Sequence, residues 1–142
     1  MSKGEEASQG RAMYTATTRA IQVTVQPRYL PDQSDPTKSQ YVWAYQVRIE
    51  NKGPVAVQLR SRHWKITDGL GRRQEVKGRG VVGETPRLEP GEVFEYTSGT
   101  PLSTPSGFMG GTYQMTSDSG ENFDIEIPTF SLDAPGGARQ LN

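Results

Sequence analysis

The chain has 142 residues, the usual size of one domain, and can bury a core without metals or disulfides. It has no cysteine, which excludes disulfides, a thiolate nucleophile and Cys-ligated zinc or iron–sulfur sites. Lys and Arg number 16 and Asp and Glu number 16, so the chain lacks the basic excess of a dedicated nucleic-acid-binding protein. The polar start "MSKGEEASQG" and the lack of a long apolar run predict a soluble, cytoplasmic protein.

Both ends of the chain are polar and rich in small residues. Residues 1–14 are predicted to be a disordered extension, because their side chains cannot bury enough apolar surface to offset chain entropy. A single domain is expected over 15–134, followed by a loose tail at 135–142. Met1 and Met13 are both candidate initiators.

The first half of the chain predicts three strands from the period-of-two alternation of apolar and polar residues. They are "RAIQVTVQP" (19–27), "YVWAYQVRIEN" (41–51) and "VAVQLRSRHWKI" (55–66). In the second, the odd-numbered residues from Tyr41 to Ile49 are expected to be largely buried, together with both tryptophans, Trp43 and Trp64. The third changes parity along its length, which predicts a β-bulge near "RSRH".

The second half predicts four more strands, separated by turns such as "TDGLG" and "LEPGE". They are "RRQEVKGRGVV" (72–82), "VFEYTS" (93–98), "TYQMTS" (112–117) and "NFDIEIPTFSL" (122–132), the last interrupted at Pro128. A long loop is expected at 99–111, "GTPLSTPSGFMGG". About seven strands with no helical period predict an all-β, antiparallel sandwich of the immunoglobulin or fibronectin type III kind.

A Gly-x-Gly-x-x-Gly pattern occurs at Gly78, Gly80 and Gly83. A dinucleotide fingerprint needs a helix directly after its glycines, so that the phosphates lie at the helix N-terminus. Here "ETPRLEPGE" follows, and Pro86 and Pro90 prevent a helix. The glycines are therefore expected to shape a bulged strand or a tight crossing.

An anion site without a helix remains an alternative for this segment. Backbone amides of a nest, with guanidinium and ammonium groups nearby, bind phosphate. The candidate anion-binding or partner-binding residues are Arg72, Arg73, Lys77, Gly78, Arg79, Gly80, Gly83 and Phe108.

The remaining polar candidates favour structural interpretations. His63 is the only histidine, and Ser61 two residues before it would still need an oriented acid and an oxyanion hole to act as a nucleophile. The predicted bulge also weakens the expectation that the two share a face. Asp124 and Glu126 alternate with apolar residues, which is typical of a solvated strand face. No catalytic residue, metal ligand or cofactor is predicted.

Five strings occur in the order and spacing of a known family. They are "SRHW" (61–64), "GRGVVGETP" (78–86), "LEPGEVFEYTSG" (88–99), "GFMGGTYQM" (107–115) and "FDIEIPTFSL" (123–132). On these motifs the chain resembles the ApaG family from about Ile21 to Leu132. The resemblance implies a small cytoplasmic bacterial protein with a fibronectin-like sandwich. It also implies a genetic association with cobalt tolerance, magnesium efflux and a diadenosine tetraphosphate hydrolase, and related partner-binding domains in eukaryotic F-box and polymerase-interacting proteins.

The favoured hypothesis is a non-enzymatic module that binds an unidentified protein. Its surface is expected near the Gly-rich segment and loop 99–111, with Arg79 and Phe108 as contact residues. The alternative is a pyrophosphate- or nucleotide-containing ligand at 77–83. Direct sensing of Mg²⁺ or Co²⁺ has little support, because hard cations need several converging oxygens. Binding to a membrane or dedicated nucleic-acid binding is not expected, and the oligomeric state is left open.

Overall fold

The computed structural model describes residues 12–135, and their regular structure consists of strands and two short 3₁₀ turns. The strands are β1 (Tyr14–Thr18), β2 (Ile21–Tyr29), β3 (Tyr41–Asn51), β4 (Val57–Asp68), β5 (Arg73–Arg79), β6 (Arg87–Leu88), β7 (Val93–Leu102), β8 (Ser106–Ser117) and β9 (Asn122–Asp133). The turns are Pro31–Gln33 and Pro36–Lys38. Residues 12–135 contain no helix that could span a membrane. Most of the predicted extension and tail lies outside the described residues.

Two antiparallel sheets form the sandwich. One has four strands in the order β1-β2-β3-β7, and the other has the order β5-β4-β8-β9, with β6 also paired to β4. The all-β sandwich predicted from the strand rhythm is confirmed. No helix runs through 78–99, so the nucleotide-binding fold that the glycine pattern evokes is absent from these residues.

The seven predicted strands correspond to β2, β3, β4, β5, β7, β8 and β9. The two additional strands are short. β1 begins at Tyr14, which is earlier than the alternation predicts, and its "YTATT" sequence pairs with β2 residue for residue. β6 has only two residues. Both were missed because their sequences carry too little apolar alternation to be distinguished from loops.

The loop predicted at 99–111 is wrong. β7 continues to Leu102 and β8 begins at Ser106, so only three residues connect them. The glycines here serve close strand packing. A Cβ on Gly107 would lie 2.4 Å from the Thr67 carbonyl oxygen, and one on Gly111 would lie 2.0 Å from that of His63. Gly and Pro therefore mark a crowded strand pair here, which the sequence does not distinguish from a loop.

Both predicted irregularities are present. The register between β4 and β8 shifts between Leu59 and Ser61, which makes Arg60 the extra residue of a bulge. The register between β8 and β9 shifts opposite Pro128, after which Phe130 returns to the core. These shifts decide which side chains face outward on the second half of each strand.

The core lies between the sheets and contains both tryptophans. Trp43 and Trp64 are buried, as are Tyr45, Val47 and Ile49, while Tyr41 is only half-buried. The rings of Tyr45 and Trp64 meet edge to face with centroids 5.3 Å apart. Burial of the odd-numbered side chains of β3 is thus confirmed, with Tyr41 at the margin.

Candidate interaction surface

The Gly-rich segment is a corner in an interrupted edge strand. β5 and β6 both pair with β4, and the chain between them leaves the sheet and returns. Gly80 and Gly83 have φ of +63° and +81°, a left-handed conformation that glycine adopts without strain. The structure thus gives these two glycines the backbone role predicted for them.

The amides of this corner are largely used inside the protein. The Gly80 amide donates to the Arg60 carbonyl at 2.8 Å. Val81 and Glu84 exchange two backbone hydrogen bonds, each 2.8 Å long. These three amides are therefore not free to form a phosphate nest, and an anion here would depend on the side chains of Lys77 and Arg79.

Gly78 makes room for an arginine that the sequence analysis missed. A Cβ on Gly78 would lie 2.8 Å from Nη2 of Arg62. Nη1 of Arg62 donates to the carbonyls of Arg79 and Gly80 at 3.1 and 2.8 Å. Arg62 shares the parity of buried Trp64, so it lies on the core side and holds the corner against β4. The sequence indicates this inward position, because Arg62 lies two residues before the buried Trp64 on the same strand.

A pair of buried tyrosines lies in the same part of the core. The hydroxyls of Tyr96 and Tyr113 are hydrogen-bonded at 2.5 Å. Burial is the main cause that raises the pKa of both phenols, so both are neutral at physiological pH. The pair joins the two sheets through the core, since Tyr96 lies on β7 and Tyr113 on β8.

The solvent-facing side of the five-stranded sheet is called the outer face below. Four rows of side chains cross it from β5 through β4 and β8 to β9. In order, the rows are Arg73-Thr67-Phe108-Ser131, Glu75-Lys65-Gly110-Thr129, Lys77-His63-Thr112-Glu126 and Arg79-Ser61-Gln114-Asp124. In the last two rows, the bases Lys77 and Arg79 of β5 and the acids Glu126 and Asp124 of β9 lie at opposite edges of the face.

The predicted site residues are only partly brought together. Arg73, Lys77, Arg79 and Phe108 share the outer face, but Arg79 and Phe108 lie about 20 Å apart, six residues along β4 at about 3.3 Å each. Arg72 lies off this face, where its Nε donates to Asp68 at 2.7 Å and its Nη2 to Ser103 at 3.0 Å.

Phe108 borders an open groove on the outer face. Its side chain is 48% exposed. The groove, of about 640 Å³, lies over Gly110, between Lys65 and Arg73 on one side and Glu126 on the other. An exposed aromatic ring between charges of both signs is a common feature of protein-binding surfaces.

Ser61 and His63 do share the outer face, because the bulge falls before both of them. Each is bonded elsewhere: Ser61 Oγ donates to Gln114 Oε1 at 2.8 Å, and His63 Nε2 lies 2.7 Å from Glu75 Oε1. The hydrogen bond with His63 is the main cause that lowers the pKa of Glu75. Among the described residues, no three His, Asp or Glu side chains converge as a metal-binding group.

Fold and surface together define a small antiparallel β-sandwich domain of fibronectin-like architecture with an exposed, charged sheet face. Residues 31–117 match the family described as the ApaG domain. The chain belongs to the ApaG family.

Relatives and solved structures agree with this assignment. Protein ApaG of Bradyrhizobium diazoefficiens is 62% identical over 130 residues, which are 92% of this chain and 100% of the relative. Protein ApaG of Rhodospirillum centenum is also 62% identical, with the same coverage. A crystal structure of a Bordetella pertussis protein, described as a candidate ApaA, superposes with a TM-score of 0.81 at 53% identity and covers 85% of this chain and 98% of that one.

Proposed function

We propose that the chain is a non-enzymatic, cytoplasmic ApaG module that binds a protein partner through the outer face. The observation that carries the proposal is Phe108, an aromatic ring 48% exposed beside a groove on a rigid sheet. Aromatic anchors in such depressions dominate the energetics of many interfaces. Arg79, on the same face, adds a cation at the opposite end.

The polar groups of the face support binding rather than catalysis. Ser61 is oriented by Gln114 and His63 by Glu75, so the hydroxyl and the imidazole are not aligned with one another. A nucleophile needs a base within hydrogen-bond reach, itself held by a third group. The two tyrosine hydroxyls of the core are bonded to each other.

The link to cobalt tolerance and magnesium efflux, which the family resemblance implies, is proposed to be indirect. The carboxylates of the outer face are spread over its two edges, Glu75 on β5 and Asp124 and Glu126 on β9. A site for a hard cation needs several oxygens around one point. The proposed effect on cations is therefore one that needs no cation bound to this face.

Affinity capture from cell lysate tests the proposal. We expect Arg79→Ala and Phe108→Ala to lose captured protein with little change in melting temperature, because both side chains are exposed. Arg28→Ala and Val93→Ala, exposed positions in the other sheet, are the matched controls and should capture normally. Full capture by both outer-face variants would place the interaction elsewhere.

A further inference from the structure

We propose that the outer face pairs with the outer face of a second copy of this chain, in a dimer whose two-fold axis runs parallel to the strands. The inference rests on the proposed function, since it names the partner that this face fits. It follows from the order of charges along the four rows.

Two neighbouring rows of the face are polarised across the strands. β5 presents Lys77 and Arg79, and β9 presents Glu126 and Asp124, all exposed. The seven salt bridges among the described residues involve none of these four side chains. Four charges of known order are thus available to a partner.

The registers pair these charges within rows. Lys77 lies in the same row as Glu126, and Arg79 in the same row as Asp124. A two-fold axis parallel to the strands, between β4 and β8, places each row of one copy over the same row of the other copy. It places β5 of one copy over β9 of the other. Each base of one copy then faces the acid of its own row in the other copy, which forms four intermolecular ion pairs.

The alternative two-fold axis, perpendicular to the strands, is disfavoured by the same charges. It would place β5 over β5 with the row order reversed, so that Arg73 would face Arg79 and Lys77 would face Glu75, while the acids of β9 would face only Ser131 and Thr129. Like charges that face each other across an interface oppose association. The charge order therefore selects one isologous arrangement.

The other two rows are also compatible with this arrangement. Because β8 of one copy lies over β4 of the other, the ring of Phe108 packs over the methyl group of Thr67 in the second copy. The same arrangement sets the long side chain of Lys65 over Gly110, where the absence of a side chain deepens the groove. The one exposed apolar ring of the face and its depression are thus both covered.

The size of the face predicts a weak dimer. Four strands about 4.8 Å apart and six residues of about 3.3 Å give, with side-chain margins, roughly 550 Å² per copy. A total near 1,100 Å² lies at the low end of specific interfaces, where transient complexes occur. We therefore expect association in the micromolar range that weakens as salt concentration rises.

Sedimentation of the purified full chain over a wide concentration range tests the dimer. We expect reversible dimerisation, weakened on the order of tenfold or more by Arg79→Glu and by Asp124→Arg, because each variant alone creates two like-charge contacts. An equimolar mixture of the two variants should form a heterodimer, since both contacts are then again opposite in sign. Circular dichroism of each variant confirms that it is folded.

Single cysteines provide a second, orientation-specific readout, because the chain has no cysteine of its own. Lys77→Cys mixed with Glu126→Cys should form an intermolecular disulfide on mild oxidation, whereas Lys77→Cys alone should not. A chain that stays monomeric at all concentrations would overturn the dimer, while the lysate capture would still decide the proposed function. A dimer whose dissociation constant is unchanged by both charge reversals would overturn this arrangement.

Discussion

Replacement of Gly80 by alanine should destabilise the protein more than replacement of any other glycine in the Gly-x-Gly-x-x-Gly pattern. Gly80 has φ of +63°, and a Cβ there would lie 2.3 Å from the Glu84 carbonyl oxygen. The left-handed conformation alone costs a non-glycine residue about 1–2 kcal/mol. Relief of the contact requires the turn to move, which breaks at least one of the Val81–Glu84 hydrogen bonds, at about 1 kcal/mol. We expect a loss of about 2–3 kcal/mol in total.

Gly83→Ala is the matched control for this prediction. Gly83 also has a positive φ, +81°, but nothing lies within 4 Å of its Cβ position. Its cost should be limited to the conformational part, about 1–2 kcal/mol. Urea unfolding at neutral pH measures both changes from the midpoint and slope. If Gly80→Ala cost no more than Gly83→Ala, the argument that the corner packs against its own carbonyl would fail.

Three further predictions concern the core, one turn and the anion alternative. Tyr113→Phe should lower the free energy of unfolding in urea by about 1–3 kcal/mol, because it leaves the buried Tyr96 hydroxyl without a hydrogen-bond partner. The double variant with Phe at both positions should lose less stability than the sum of the two single variants. Burial acts to raise the pKa of Asp68, but hydrogen bonds from Arg72 and Leu70 outweigh it and hold the pKa low. Asp68 thus stabilises the fold above its unfolded pKa, and this contribution is lost as pH falls through the folded pKa, so the loss of stability in acid should be smaller in Asp68→Asn. Pyrophosphate titrated by NMR should bind only in the millimolar range near Lys77 and Arg79 and weaken with salt, and micromolar binding in physiological salt would contradict this.

The sequence predicted the long strands because alternation is a local property. Six of the seven strands show their buried face within their own residues, whereas β5 has no fully buried residue. The phase changes at Arg60 and Pro128 were visible as breaks in parity. The sequence also argued against a dinucleotide-binding fold, because Pro86 and Pro90 prevent the helix that such a site needs. The ApaG motifs could likewise be identified from the sequence alone.

The arrangement of the candidate surface was decided only by tertiary structure. Whether Lys77 shares a row with Glu126, or Arg79 with Asp124, depends on the registers of three strand pairs, and a shift of one residue would move a side chain to the other face. The bulges at Arg60 and opposite Gly110 contribute to those registers. Residues 99–111 show the same limit, because Gly107 and Gly111 look like loop residues until the carbonyls of Thr67 and His63 are placed against them. Local patterns specify which face of a strand is buried, whereas contacts between strands distant in sequence specify what lies beside it.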